Sequence, residues 1–370
     1  MSEFQFQIMS DLHLETSKVR PSYESFDIQP KCQCLALLGD IGHASDPRLF
    51  DFFNRQLQQF RAVFYLLGNH EPYGMTFPEA KEIVRAFEAD VEQRRRSRSN
   101  STMGKFIFLD RSRYDLSESL TVFGCTLFSS ISPQQRDPVA RFVSDFSSID
   151  DWTVDSHNAA HRTDLQWLNS QILECAQHEP HRSIVVLTHH SPTTLDEADD
   201  PNHVKDDAQI RSAFTTDLSS QPCWTTPHVK LWAFGHTHFN CDLDDPQTKK
   251  RVVANQKGYR KSESLTFSGS KVVEVDTSPH LGQKVSKIEL DVRKSKNKRK
   301  QCMPQIPRLR QLYAWSVKGI PCSSYSVRVA VPDFLTPSHV MLATLCDSEA
   351  ISFGIFRDDV VVKLAIGRLK

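Results

Sequence analysis

A chain of 370 residues can bury one large core or two smaller ones, and 39% apolar with 24% charged content suits a globular protein in water. Forty-five basic residues balance forty-five acidic ones, which excludes a global basic field for nucleic acid, so any such field has to be local. Nine irregularly spaced cysteines are too few for a disulfide scaffold, and Cys32-x-Cys34 has no second pair at zinc-site spacing, so the cysteines read as mostly reduced and buried.

The N-terminal MSEFQFQIMSDLHLE has no basic leader and no long apolar run; Phe4 to Met9 alternates as a strand and then turns at SDLH. No segment approaches the roughly 20 apolar residues of a membrane span. The expectation is a cytoplasmic protein without membrane contact. CLALLGD (Cys34–Asp40) is a short apolar run. Leu49, Phe52, Phe53, Leu57 and Phe60 follow at helical spacing, with Pro47 near the start. AVFYLLGNHE (Ala62–Glu71) is a second run, and Phe77 to Arg95, with Ile83, Val84 and Phe87, predicts a second helix. RRRSRSNS (Arg94–Ser101) reads as a solvated basic loop, with a phosphate role as the alternative. DFSSIDDWTVDSHNAAH brings Trp152, His157, Asn158 and His161 near a helix start, with Asp155 or Ser156 as its cap. That stretch is either a structural helix or a wall over a site. Leu165, Leu168, Ile172 and Cys175 form the helix's apolar stripe. SIVVLTHHSP, VKLWAFGHTH and FSGSKVVEVD (Phe267–Asp276) complete the strands.

Runs apolar on both faces are buried strands, and their alternation with helices predicts an α/β sandwich over residues 1–276. Lys284 to Lys300 carries eight Lys/Arg against Glu289 and Asp291. It reads as a basic linker over 277–300; nuclear localisation through Arg293–Lys300 and a polyanion contact are the alternatives. Residues 301–370 form an extension of unknown structure, in which YSVRVAVPDF and VVVKLAIGRLK look strand-like.

Each apolar run stops on metal-capable residues: Asp11 and His13, then Asp40, then Asn69 and His70, then His189 and His190, then His236 and His238. One histidine at a strand end is more often a core or surface residue. Five coordinated ends are a pattern chance rarely builds, because ligands of α/β sheets bind beyond the carboxyl ends of strands. Imidazole, carboxylate and amide donors without thiolates suit manganese, iron or zinc. Seven ligands are too many for one ion and about right for two. Two ions roughly 3.5–4 Å apart can clamp a phosphoryl group and generate a hydroxide nucleophile. Asn69 suits such a site as a neutral oxygen ligand.

SDLH, Gly39-Asp40, GNHE (Gly68–Glu71), THH (Thr188–His190) and GHTH (Gly235–His238) stand in the order of the calcineurin-like metallophosphoesterases, which the chain resembles over about residues 4–276. GCTLFS and VVANQKGY are similar to a fungal-type subgroup of calcineurin-like phosphoesterase domain proteins. The resemblance implies a four-layer α/β/β/α sandwich of two mixed sheets. It implies that Asp11, His13 and His238 hold one divalent ion, that Asn69, His189 and His236 hold the other, and that Asp40 bridges them. His70 would be the catalytic histidine, contacting the phosphate or protonating the leaving oxygen. Asn69, His70, His190 and Asn240 are the candidate substrate contacts; for His190 a place behind the ligand His189, and for Asn240 a turn role, are the alternatives.

Two departures matter. Many family members place an aspartate three residues past the bridging one, paired with the catalytic histidine; here that position is His43. GDIGHAS also departs from the GDxVDRG of the protein Ser/Thr phosphatases, so that activity has no support in the motif. The expected function is metal-dependent hydrolysis of a phosphomonoester or phosphodiester of unspecified class. A nuclease on the same scaffold, supported by the basic run alone, and a non-catalytic interaction module are the alternatives. Modules of that kind usually lose ligands, and none is lost here.

Overall fold

The computed structural model describes residues 3–17, 19–97, 102–199, 208–259, 264–277, 340–346, 350–357 and 360–366. The chain forms two compact units, Met1–His280 and Leu281–Lys370. In the first unit the strands are β1 (Glu3–Met9), β2 (Cys34–Leu38), β3 (Ala62–Leu66), β4 (Lys105–Phe108), β5 (Ser112–Asp115) and β6 (Leu120–Cys125). Then come β7 (Ser183–Thr188), β8 (Val229–Phe234), β9 (Cys241–Asp244), β10 (Arg251–Ala254) and β11 (Val272–Asp276). The helices are α1 (Pro47–Gln59), α2 (Phe77–Ser97), α3 (Arg136–Phe142), α4 (Asp145–Ser148), α5 (Val154–His178) and α6 (Pro222–Thr225).

One sheet has the order β11-β1-β2-β3-β4 and the other β5-β6-β7-β8-β10-β9. β1 to β4 are mutually parallel, as are β6, β7, β8 and β10, while β11, β5 and β9 add antiparallel edges. Alternate side chains divide between the two faces of each sheet. Phe6, Ile8, Leu38 and Phe64 of the first sheet meet Val122, Val185, Leu231 and Val253 of the second in a core between the sheets. The opposite face of the first sheet, with Leu37, Val63 and Tyr65, packs on Phe52, Phe53 and Leu57 of α1 and Val84 of α2. The opposite face of the second, with Phe123, Val186 and Trp232, packs on Leu168 and Ile172 of α5. Two covered sheets make the four-layer α/β/β/α sandwich. The carboxyl ends of β1, β2, β3, β7 and β8 carry the loops with the candidate ligands.

Local signals behave as their chemistry requires. Asp46 caps α1 by accepting from Arg48 N at 3.0 Å, with Pro47 in the first turn. The cap of α5 is Thr153, not Asp155 or Ser156. Thr153 has an extended backbone, and its hydroxyl accepts from Ser156 N at 3.1 Å. Asp155 instead lies in the first turn and pairs with Arg136 at 2.7 Å. α2 runs on through Ser97, into the stretch expected to be a loop. Arg94 pairs with Asp90, and Arg95 and Arg96 with Glu92, one turn back along the helix, and their charges suit its C-terminal dipole. Six cysteines of this unit are free, four of them buried.

In the second unit β12 (Val340–Cys346), β13 (Ala350–Arg357) and β14 (Val360–Ile366) form an antiparallel meander. The VVVKLAI part of the expected C-terminal strand is β14; YSVRVAVPDF and the basic run Lys284–Lys300 lie outside the described residues. Among the described residues no helix is long and apolar enough to cross a membrane.

α5 is pinned to the loop after β6 by a buried histidine. His157 Nε2 accepts from Ser129 N at 3.2 Å and lies 3.0 Å from Ser129 Oγ, and burial pushes its pKa down to about 3. The unfolded chain therefore binds a proton below the ordinary value near 6.5 that the folded chain refuses. Stability is lost as pH falls from about 6.5 toward the folded value, by up to about 1.4 kcal/mol per pH unit for this one group. His157→Gln is expected to make the acid limb of stability against pH shallower by one proton. Denaturant titrations between pH 6 and 4 check this, and an unaltered slope counts against it.

Candidate metal centre

Five of the seven candidate ligands share an unusual backbone. Asp11, His13, Asp40, His236 and His238 all have positive φ, between +46° and +74°. Each such residue costs of order 1–3 kcal/mol and persists only where its surroundings over-determine it. Here the loops bind one another: Asp11 N donates to Gly39 O and His13 N to Asp40 O, both at 3.0 Å. Gly235 N donates to His189 O at 2.8 Å, and His236 N reaches the Asp11 carboxylate at 3.1 Å. Gly39 is needed for space as well as for its φ of +85°: a Cβ there would lie 2.5 Å from Gly68 N and 2.6 Å from His189 Nδ1. A Cβ at Gly68 would strike Asp40 Oδ1.

Glu71 supplies a second constraint. Its buried carboxylate accepts from Gly68 N and Ile41 N at 2.8 Å, Tyr65 OH at 3.0 Å and Asp40 N at 3.1 Å. Burial pushes its pKa up to about 6 against the pull of those backbone donors. The GNHE motif contains this residue, but its role emerges only when the loop after β2 folds onto it.

The side chains converge as two groups. Asp11, His13 and His238 form one and Asp40, His189 and His236 the other, each with its ligand atoms within 4.8 Å of one another. Asp40 lies between them, with Oδ2 3.9 Å from His13 Nε2 and Oδ1 3.5 Å from His189 Nε2. Asn69 Oδ1 sits 2.9 Å from His189 Nε2.

Tautomers test whether this set suits cations. His189 Nδ1 donates to Leu38 O at 2.8 Å, which leaves a lone pair on Nε2. Asn69 Nδ2 donates to Asp145 Oδ1 at 2.8 Å, so its oxygen is the atom turned toward that lone pair. Two acceptors facing each other make no hydrogen bond, but they are what a cation requires. His13 repeats the pattern: Nδ1 lies 3.1 Å from Glu15 Oε1, and Nε2 is presented 3.1 Å from His238 Nε2. Burial lowers the pKa of His13 to about 4 and lowers those of His189 and His236, so these imidazoles are neutral donors. Burial, with the neighbouring Glu71 and Asp11 carboxylates, also raises Asp40 well above the usual carboxylate range against the pull of His70. The donor set fits divalent ions bound by nitrogen and oxygen.

His70 stands at the cleft floor, stacked on Tyr73 with ring centres 4.3 Å apart. Its Nδ1 lies 3.6 Å from Glu15 Oε1, and its Nε2 is 2.9 Å from Tyr259 OH. Burial works against its charge, but Asp40, Glu15 and Asp145 outweigh burial and raise its pKa to about 9. Glu15 is thus the acid beside His70 that the departure at His43 left open. It sits two residues past His13, and one of its oxygens serves both imidazoles. Tyr259 also stacks on His13 at 4.3 Å. Neither residue was among the expected ones; the only local hint of Glu15 was its i+2 spacing from His13.

Two expected substrate contacts are displaced. His190 is fully buried behind His236, ring centres 4.0 Å apart, and does not line the cleft. Asn240 is consumed by the turn: its amide donates to Gln256 O at 3.1 Å and Ser264 Oγ at 3.0 Å and accepts from Gln256 N at 2.5 Å. Of the helix residues near Trp152, His157, His161 and Asn158 bind the 127–131 loop, so this is a structural helix.

A two-sheet sandwich with paired histidine and carboxylate groups at its strand ends defines a metallophosphoesterase. Residues 4–240 match the calcineurin-like phosphoesterase family; the chain belongs to that family and is a phosphoester hydrolase. It is 25% identical over 290 residues to the uncharacterized protein L509 of Acanthamoeba polyphaga mimivirus, a match covering 72% of this chain and 95% of that protein. Its fold is similar to that of the phosphopantetheinyl hydrolase PptH from Mycobacterium tuberculosis, with TM-score 0.51, 14% identity and coverage of 75% of this chain and 98% of that one.

Removing the Glu71 carboxylate strands three backbone donors and a phenol. Glu71→Ala is expected to cost at least about 3 kcal/mol in denaturant unfolding, and Glu71→Gln, which keeps an acceptor, distinctly less. Equal losses for both variants would contradict the clamp.

Proposed function

We propose that the protein hydrolyses a phosphate monoester or diester at a dinuclear centre. Asp11, His13 and His238 would hold one ion, Asn69, His189 and His236 the other, and Asp40 both. The observation that carries this reading is the position of Asp40 between His13 and His189, with the acceptors His189 Nε2 and Asn69 Oδ1 turned toward each other beside it. Manganese, iron and zinc all suit such donors. When bound, two such ions supply Lewis acidity toward phosphoryl oxygens and a nucleophile at neutral pH.

The remaining residues position and move protons. The Asp40, Glu15 and Asp145 carboxylates favour the protonated form of His70, and its Nε2, beside the Tyr259 hydroxyl on the cleft lining, can bind a phosphoryl oxygen or protonate the leaving oxygen. Glu15 holds the other ring nitrogen, and Tyr73 fixes the ring plane. Asn69 would ligate without adding negative charge near the phosphate, and Asp145 orients its amide. The described cleft lining favours a small ester over a nucleic acid: Asp145 and Asp199 border it, and Arg211 is tied to Asp199 at 2.8 Å.

Manganese-loaded protein is expected to turn over p-nitrophenyl phosphate or bis-p-nitrophenyl phosphate, with kcat lowered at least about 100-fold by Asp40→Asn together with loss of bound metal. His70→Gln is expected to lower kcat by about 100-fold or more while metal content stays unaltered. Activity that survives stringent chelation or Asp40→Asn sinks the proposal.

A further inference from the structure

The cleft has a second side. Besides Asp40, Asn69 and His70, it is lined by Phe142 and Val143, at the end of α3, and by Ile210 and Phe214, which flank the turn Arg211–Ala213. We infer that this apolar wall receives the alcohol half of the substrate, and that the substrate is a small, singly phosphorylated ester of an uncharged apolar alcohol. The inference rests on the phosphoesterase reading above and narrows it.

Four observations support it. The wall is anchored, because Val143, Ile210 and Phe214 pack on a small core of Ile131, Val139, Val154 and Ala213 beneath them. Its distance from the candidate ligands is set by a direct contact, Phe214 stacking on His236 with ring centres 4.9 Å apart at 23°. At the mouth, Phe142 is 57% exposed, an apolar surface that gains by being covered. Finally, among the described residues the charges bordering the cleft select against a second phosphate. Asp145 and Asp199 are acidic, and the Arg211 guanidinium already meets Asp199 through both Nε and an Nη at 2.8 Å. The cavity, about 240 Å³, is below the roughly 300–1,000 Å³ of pockets for drug-sized ligands, so a phosphoryl group with one ring or a short chain fills it.

The test compares esters whose leaving alcohols are both primary, so that leaving-group chemistry is matched. With metal-loaded full-length protein, kcat/KM for benzyl phosphate is expected to exceed that for glycerol 3-phosphate by at least about tenfold. Phe142→Ala and Ile210→Ala are expected to reduce that preference at least about fivefold, mainly through KM for the benzyl ester. Calorimetry should show benzylphosphonate binding at least about tenfold more tightly than methylphosphonate, a readout that needs no turnover. A preference near one, parallel losses on both esters in the variants, or better use of a nucleoside diphosphate or an oligonucleotide overturns the inference. Turnover of p-nitrophenyl phosphate with equal binding of the two phosphonates rejects the wall and keeps the phosphoesterase. No turnover with tighter binding of benzylphosphonate does the reverse.

Discussion

The Glu71 carboxylate ties together the loops that leave two adjacent parallel strands, β2 and β3. Its acceptors take Gly68 N from the loop after β3 and Asp40 N and Ile41 N from the loop after β2, with Tyr65 OH closing the set. Those donors lie at the ends of adjacent parallel strands, where backbone N–H groups leave the ladder and must be paired elsewhere. One buried anion satisfies them together and so sets the position of Asp40 relative to Asn69. A neutral side chain could pair with some of these donors but not hold all of them equally.

The backbone around this clamp is strained, and the strain has a source of support. Five candidate ligands sit at positive φ, a conformation that turns consecutive side chains sharply at a strand end. The loops alone could not enforce it. The sandwich does: two sheets covered on both faces bury strands β1, β2, β3, β7 and β8 along nearly their whole length, so their carboxyl ends cannot splay. The gain from apolar burial is thus separated in space from the polar site it stabilises. This separation lets neutral imidazoles and carboxylates crowd together at one edge.

Much of this was legible in the sequence because it is local. A buried strand is a short apolar run, a strand end is the point where the run stops, and the ligand types follow within one to three residues. The α/β sandwich and the set of ligand types come from such signals; the four layers and the division of the ligands into two groups were implied by the family resemblance that the motif order carries. What was not legible is long-range or depends on rotamers. Tyr259 meets His70 across 189 residues, and Asp145 meets Asn69 across 76. Thr153 displaced two plausible caps because an extended backbone, invisible in composition, precedes the helix at that residue. Asn240 looked available to substrate because its partners, Gln256 and Ser264, lie on a different segment. Glu15 is the instructive case: it stands in plain view in SDLHLE, yet its role depends on His70 arriving from β3.

The paired histidines after β8 show how a short spacing is given meaning by geometry. At i and i+2 on a regular strand, His236 and His238 would point to the same face. Both instead adopt positive φ, and Thr237 between them accepts from Gln256 Nε2 at 2.9 Å while His238 N donates to Gln256 Oε1 at 2.6 Å. Gln256, at the end of β10, therefore grips the loop from below and splits the pair. His236 joins Asp40 and His189, and His238 joins Asp11 and His13. A conservative change at Gln256 would leave every candidate ligand in the sequence and still remove the grip that divides the two histidines. In that sense the separation of the two groups is a property of the strand beside them as much as of the ligands.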